Sequence, residues 1–254
     1  MKDHKARPIL FSSMMVQAIL EGRKVQTRRA VRIKDIAHNP GIFRYLGDSN
    51  SIDLPRPAIK YGEQSVYHGF TLNNSNATSW VDTCPYGQSG DILFVRETLY
   101  YDTCGDEWCY VAGNDPVPLE EYSAPILTSQ SALKRGAIPS IHMPREACRL
   151  FIKITDVRVE RLWDITPGDA GAEGVEYDNI DWEAHAGGEL IADYRNYTWT
   201  PKKEKDPNYT DRYFPTFPNP VDSFRSLWQS INGLESWDQN PWVWVVEFEK
   251  IDKP

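Results

Sequence analysis

The stretch Glu21–Arg29, EGRKVQTRR, gathers Arg23, Lys24, Arg28 and Arg29 around a single hydroxyl, that of Thr27. No carboxylate occurs from Gly22 until Asp35, while Arg32 and Lys34 extend the basic run. In a chain of 254 residues with net charge −8, this is a local reversal of sign. Charge runs are most often solvated faces. The alternative is a site in which a lysine and a threonine are held beside guanidinium groups, facing an anionic or polar ligand, and the surrounding sequence favours it.

Upstream, Ser12 or Ser13 can cap a helix reaching about Leu20, with Met14, Met15, Ala18 and Ile19 on one face. Gly22 then falls at the left-handed position that ends a helix, and Val25–Val31 reads as a strand. Lys24 and Thr27 are three residues apart, so in a regular strand they would face opposite sides. For the two to act together, Lys24 must lie in the turn before the strand, or a bulge must re-aim it.

Downstream, residues 35–82, with one strand at Gln64–Leu72, and residues 176–220 are loop-rich and read as two insertions in a single α+β domain. Between them, Gly90-Asp91 is a tight turn opening a strand over Ile92–Thr98. Arg96 and Glu97 near its end can pair with each other or line a pocket. A hairpin is expected over Thr103–Asn114, loop over Pro116–Ala137, and a Pro-bracketed crossing over Ile138–Arg145. Ala147–Leu162 is the longest strand, with a shift of period near Thr155-Asp156 that signals a bulge. Thr166-Pro167-Gly168-Asp169 carries the cap, proline and acid of a helix start, with Glu173 two turns in and Gly174 stopping it. Asp222 is expected to cap a helix burying Phe224, Leu227, Trp228 and Ile231. Val243–Ile251 is the final strand, closing the sheet. Neither an internal repeat nor a second core is evident.

An apolar content of 41%, with nine Trp, thirteen Tyr and nine Phe, supports one compact core carrying long polar loops. The acidic balance argues against broad binding of duplex DNA, which requires many phosphates to be neutralised. It remains compatible with a small nucleotide, or a short single-stranded RNA or DNA, held by one local basic patch. No apolar run has the length of a signal peptide or a membrane span, so a cytoplasmic protein with no membrane partner is expected. The cysteines Cys84, Cys104, Cys109 and Cys148 then read as free thiols. Cys104-x4-Cys109 lacks zinc-site spacing, and neither a metal nor a cofactor is expected. His142 reads as a structural rather than a catalytic histidine. Arg145 and Arg149 can reach a phosphate or flank the long strand.

The order of helix, GRKxxTxR, Gly-Asp turn, long strand, Asp164-Ile165-Thr166 opening a short helix with Ala172-Glu173, and a last strand ending Val-Val-Glu-Phe resembles the ASCH domain of the PUA-like β-barrel superfamily. The chain as a whole is similar to the larger ASCH-type proteins often carried by phages and prophages. The likeness runs through ILEGRKVQTRR, CPYGQSGDILFVRE, PSIHMPREACRLFIKITDVRVERLWDIT and NPWVWVVEFE. It implies a PUA-like (ASCH) β-barrel with flanking short helices, the two insertions lying outside the minimal domain.

The family's characterised enzymes are bacterial amidohydrolases acting on N4-acetylcytidine, and their catalytic lysine, threonine and glutamate fall on Lys24, Thr27 and Glu173. Arg23 and Arg29 also match the motif, and Arg28 stands where those enzymes have an apolar residue. The resemblance thus implies removal of an acyl group from an N4-acylated cytosine nucleoside or nucleotide, with Arg23 and Arg29 as substrate-binding candidates; Arg96, Glu97 and Arg145 join them as residues that can line a pocket or reach a phosphate. The alternative it leaves open is a non-catalytic PUA-like module that binds RNA or a modified nucleobase. As chemistry, Thr27 needs a base. Lys24 can serve if burial and the neighbouring arginines pull its pKa down, whereas contact with Glu173 would push it back up. Two alternatives stand beside this: Glu173 activating water while Lys24 and Arg29 stabilise the oxyanion, or a purely structural Lys24–Glu173 salt bridge with Thr27 as a strand residue.

Overall fold

The computed structural model describes residues 6–31, 84–118, 124–179, 192–198 and 216–254, with the strands at 43–48, 68–72 and 78–81. The chain opens with β1 (Arg7–Leu10), α1 (Ser13–Leu20) and β2 (Gln26–Ala30). Then come β3 (Phe43–Asp48), β4 (His68–Leu72) and β5 (Thr78–Val81), followed by β6 (Ile92–Arg96), β7 (Leu99–Asp102) and β8 (Glu107–Tyr110). Next are α2 (Pro125–Thr128), α3 (Gln130–Arg135), β9 (Ala137–Ile138), β10 (Phe151–Arg161) and α4 (Pro167–Ala172). The last elements are β11 (Tyr177–Asn179), β12 (Ala192–Arg195), β13 (Thr216–Phe217), α5 (Pro220–Asn232) and β14 (Trp242–Ile251). The fold is mixed α+β.

A five-stranded sheet in the order β1-β6-β10-β14-β2 organises the molecule, with β1 and β6 parallel and the other pairs antiparallel. The last strand, β14, joins β10 to β2. Among the described residues no ladder joins β1 to β2, so backbone pairing leaves the sheet open. A side chain spans the gap instead: Arg29 on β2 donates through Nη2 to the Leu10 carbonyl at 2.7 Å. The β10–β14 register shifts between Ile154 and Asp156. That bulge keeps Ile152 and Ile154 before it, and Val157 and Val159 after it, on the same face.

Alternation along β14 sorts the core. Trp244, Val246 and Phe248 enter a cluster with Ile9, Phe11, Val16, Ile19, Leu93 and Val95, whereas Val243 and Val245 meet Phe224, Leu227 and Trp228 of α5. A third cluster joins Phe94 and Phe151 to the β8-β7-β9 sheet and to Leu127 and Ala132 of α2 and α3. Burying each large apolar side chain contributes about 1.5–3 kcal/mol. The expectation of loop over Pro116–Ala137 is therefore corrected, since these two short helices lie within it. The hairpin also begins earlier than expected, at Leu99, and turns over residues 103–106.

Helix α5 starts earlier than its sequence suggests. Asn219 accepts from the Val221 amide at 2.9 Å, and Pro220 takes the first helical position. Asp222 therefore lies in the first turn instead of capping it, and Ile231, expected on the buried face, is 52% exposed. The region read as the first insertion carries its own sheet, β3-β4-β5, and the second contains β11-β12-β13. The basic run at Lys202, Lys203 and Lys205 lies outside the described residues, as do Arg32 and Lys34. All four cysteines are free thiols. No helix among the described residues is long and apolar enough to cross a membrane.

Candidate functional site

Helix α1 is capped by Ser12, whose side chain accepts from the Met15 amide, and it ends at Gly22 with φ +77°. Past that left-handed turn, the Arg23 and Lys24 amides both donate to the Ala18 carbonyl, at 2.9 and 3.0 Å. The chain then meets the end of α4: Lys24 forms an antiparallel bridge with Glu173, and the Val25 amide donates to the Ala172 carbonyl at 2.9 Å. Lys24 thus lies ahead of β2, in the turn before the strand, and the hydrogen bonds of its Nζ go to Glu173 and not to Thr27. The meeting point is fixed from the other side by α4. There Thr166 caps the Asp169 amide, Asp169 caps the Thr166 amide in return, and Pro167 takes the first helical position.

Lys24 Nζ donates to the Glu173 carbonyl at 2.8 Å and to Glu173 Oε2 at 2.9 Å. The lysine is 1% exposed and the glutamate 3%. Glu173 Oε1 receives Arg28 Nη1 at 3.4 Å, and Arg28 Nη2 reaches Glu160 at 3.0 Å and Asp169 at 3.4 Å. Arg158 lies against the same two carboxylates and also pairs with Glu247. Gln26 and Arg28 share this face of β2. Thr27 and Arg29 point to the other, opposite Val246 and Trp244 in the ladder. Phe11 links the two faces, with Lys24 Nζ 5.7 Å and the Arg29 guanidinium 5.0 Å from its ring centre. Arg23 turns back, donating to the Gly174 carbonyl at 3.0 Å and pairing with Glu21.

The electrostatics of Lys24 follow from this packing. Burial is the strongest influence and lowers its pKa; Glu173 opposes the shift, while Arg29 and Arg28 add to it. The net direction is downward, toward a lysine that releases its proton more readily than an exposed one. A fully desolvated pair of this kind adds little net stability, because desolvation offsets much of the attraction. What it holds is geometry.

Gly174 makes that geometry possible. Its φ is +81°, and a Cβ there would lie 2.7 Å from Lys24 Cβ and 2.9 Å from Ala18 Cβ. Gly174→Ala is expected to cost about 1–3 kcal/mol in overpacking, and about 1–2 kcal/mol more for a left-handed alanine. Gly168→Ala, which meets only Thr166 Oγ1 at 3.8 Å, should stay within about 0.5 kcal/mol of the parent. Urea denaturation of the two variants checks this, and equal midpoints would refute the tight approach.

The other candidates sit elsewhere. Glu97 is fully buried and receives Arg149 Nε and Nη2 at 2.9 and 3.0 Å, while its amide donates to Met143 Sδ. It therefore pairs with Arg149 and not with its neighbour Arg96, and among its described partners none belongs to the Lys24 cluster. Arg149 also contacts Asp115 and stacks 3.9 Å from the Tyr110 ring centre. Arg96 donates to the Ile141 carbonyl, and Arg145 and His142 are exposed beside it. Sequence reasoning singled out Lys24, Thr27 and Glu173 but missed Phe11, Glu160, Asp169 and Arg158 as their surroundings. The alternating charges of Arg158 and Glu160 on the long strand were the available signal; Phe11 carried none.

Compared with known proteins, the chain matches no protein-family model, no curated protein and no solved structure.

Proposed function

We propose that this chain is an ASCH-type member of the PUA-like superfamily, an amidohydrolase that removes the acyl group from an N4-acylated cytosine nucleoside or nucleotide. The observation that carries the reading is the buried contact of Lys24 Nζ with Glu173 Oε2, between residues 149 apart in sequence. Two of the three residues implied by the resemblance thereby meet, with the third on the strand that starts beside them. The barrel reading draws on the two edge strands, β1 and β2, which Arg29 ties together without a ladder.

In this reaction the Thr27 hydroxyl adds to the acyl carbon as its proton passes, through one bridging water, to neutral Lys24 Nζ. Arg29, on the same face of β2, faces the oxyanion. Collapse breaks the C–N bond, and the Lys24 ammonium returns the proton to the departing N4 amine. Water then hydrolyses the threonine ester, releasing the carboxylic acid. Glu173 orients Lys24 and carries the opposite charge while the lysine is protonated. The lowered pKa of Lys24 favours this assignment over one in which the lysine remains a fixed cation.

The reader-module alternative is less well served, because the cations of the motif turn inward. Lys24, Arg28 and Arg23 all hold protein carboxylates or carbonyls, and a phosphate-tracking surface needs them outward. Incubation with N4-acetylcytidine is expected to release cytidine and acetate in equal amounts, followed by chromatography. An absence of turnover at high protein concentration, with tight and salt-sensitive binding of short single-stranded RNA, would overturn the hydrolase reading.

A further inference from the structure

Arg96 and Arg145 form a second cationic group, outside the Lys24 cluster. Their guanidinium carbons lie 5.6 and 5.8 Å from the centre of one ring, that of Phe94. Among the described residues neither is paired with a carboxylate. Arg96 Nη1 is pinned by the Ile141 carbonyl at 3.1 Å, which fixes the orientation of the fork, and its Nε is buried without a partner. His142 follows Ile141 in the same turn and is exposed, as are Ile141 and Arg145. Arg28, Arg149 and Arg158, by contrast, each hold two or more carboxylates. Two guanidiniums gathered on one ring without a counter-charge repel each other, and a planar fork with unused donors suits a phosphate.

The position of this pair relative to the first site adds the second half of the argument. Arg96 is in register with Leu10 in the parallel β1–β6 ladder. The Leu10 carbonyl accepts from Arg29, and the next residue, Phe11, carries Lys24 and Arg29 on its ring. Arg96 and the Lys24 group are thus both tied to the Leu10–Phe11 step, the first through the β1–β6 ladder and the second through the Leu10 carbonyl and the Phe11 ring.

We propose that Arg96 and Arg145 bind a phosphate of the substrate, making the preferred ligand of the Lys24 site a phosphate-bearing cytosine nucleotide and not the free nucleoside. This rests on the hydrolase reading for the base end alone. The phosphate end is testable without turnover.

Calorimetric titration with cytidine, cytidine 5′-monophosphate and a short oligocytidylate separates the parts. The monophosphate or the oligonucleotide should bind at least about tenfold tighter than cytidine, as expected for charged hydrogen bonds. Tighter binding of the oligonucleotide identifies a phosphodiester within a strand, and of the monophosphate a free nucleotide. Arg145→Ala, at an exposed position, should bring the affinity ratio toward one, and Arg96→Ala should do so further. Added salt should weaken the phosphate-bearing ligands more than cytidine. Equal affinities for cytidine and both phosphate ligands, or a ratio that survives both substitutions, would overturn the proposal. Turnover of N4-acetylcytidine with no preference for phosphate sinks this inference alone. Phosphate-dependent binding without turnover sinks only the hydrolase.

Discussion

Lys24→Met is expected to lower turnover of N4-acetylcytidine by about 10²–10⁴-fold, the usual consequence of losing a general base. Lys24→Arg should be no better, because a guanidinium does not give up its proton at working pH. Thr27→Ala and Glu173→Gln should fall to comparable levels, since residues acting as a unit fail together. With Lys24 as the proposed base, the acid limb of the rate–pH profile should rise through its lowered pKa, since only a neutral amine can take up a proton. A purely structural pair ranks the variants the other way: Lys24→Arg would preserve the contact with Glu173 and stay near wild type. Active Lys24→Arg, with Glu173→Gln affecting melting temperature alone, would move the chemistry away from this cluster. Because Arg28 also touches Glu173, Lys24→Met still leaves the carboxylate a partner, so the protein should remain folded enough for the assay.

Arg149→Met should produce the largest loss of stability, and one that depends on pH. Burial pushes the Glu97 carboxyl above its ordinary value of 4.5, and Arg149 is the main influence pulling it back. A carboxyl raised in the folded state favours folding while it is protonated. That contribution is complete below about pH 4.5 and is lost as pH rises through the folded pKa. Without Arg149 the folded pKa climbs further, so the loss continues to higher pH. The deficit relative to wild type should be smallest in acid and grow toward neutral pH, reaching about 3–5 kcal/mol, typical of an orphaned buried charge. Glu97→Gln in the same background should flatten the profile and recover much of the stability. Urea midpoints of the three proteins across this pH range decide it; a deficit independent of pH would mean that Arg149 acts through its packing on Tyr110 instead.

The Glu97–Arg149 pair anchors β6 to the start of β10. The network around Arg28 and Arg158 likewise joins β2, β10, β14 and α4. Both are arginine-centred and each has a fully buried member, Glu97 in the first and Arg28 in the second, yet only the second touches the Lys24 cluster. Their separation lets stability and activity be perturbed independently.

Several features were legible in the sequence because their causes are local. Ser12 and Gly22 bracket α1 through a side-chain cap and a left-handed turn. The capping box of Thr166 and Asp169 starts α4 within four residues, and the change of period at Thr155 announces the bulge. Short-range sterics and hydrogen bonds decide each of these, and the residues that decide them are adjacent. The requirement that Lys24 precede the strand was also readable, as a consequence of side-chain alternation. Which acid it would meet was not derivable from spacing, and the resemblance alone pointed to Glu173. Other features had no local signal at all. The helices α2 and α3 are too short to show a periodicity and are held by the cluster around Trp108 and Leu127. Glu97 has an arginine beside it in sequence yet pairs with Arg149, because Arg96 turns to the Ile141 carbonyl and the segment leading into β10 brings Arg149 to the end of β6. Phe11 gains its role from the two cations that fold over it. Burial, which lowers the Lys24 pKa and raises that of Glu97, is created only when distant segments close over a side chain, so the tertiary structure alone decided the electrostatics of these two residues.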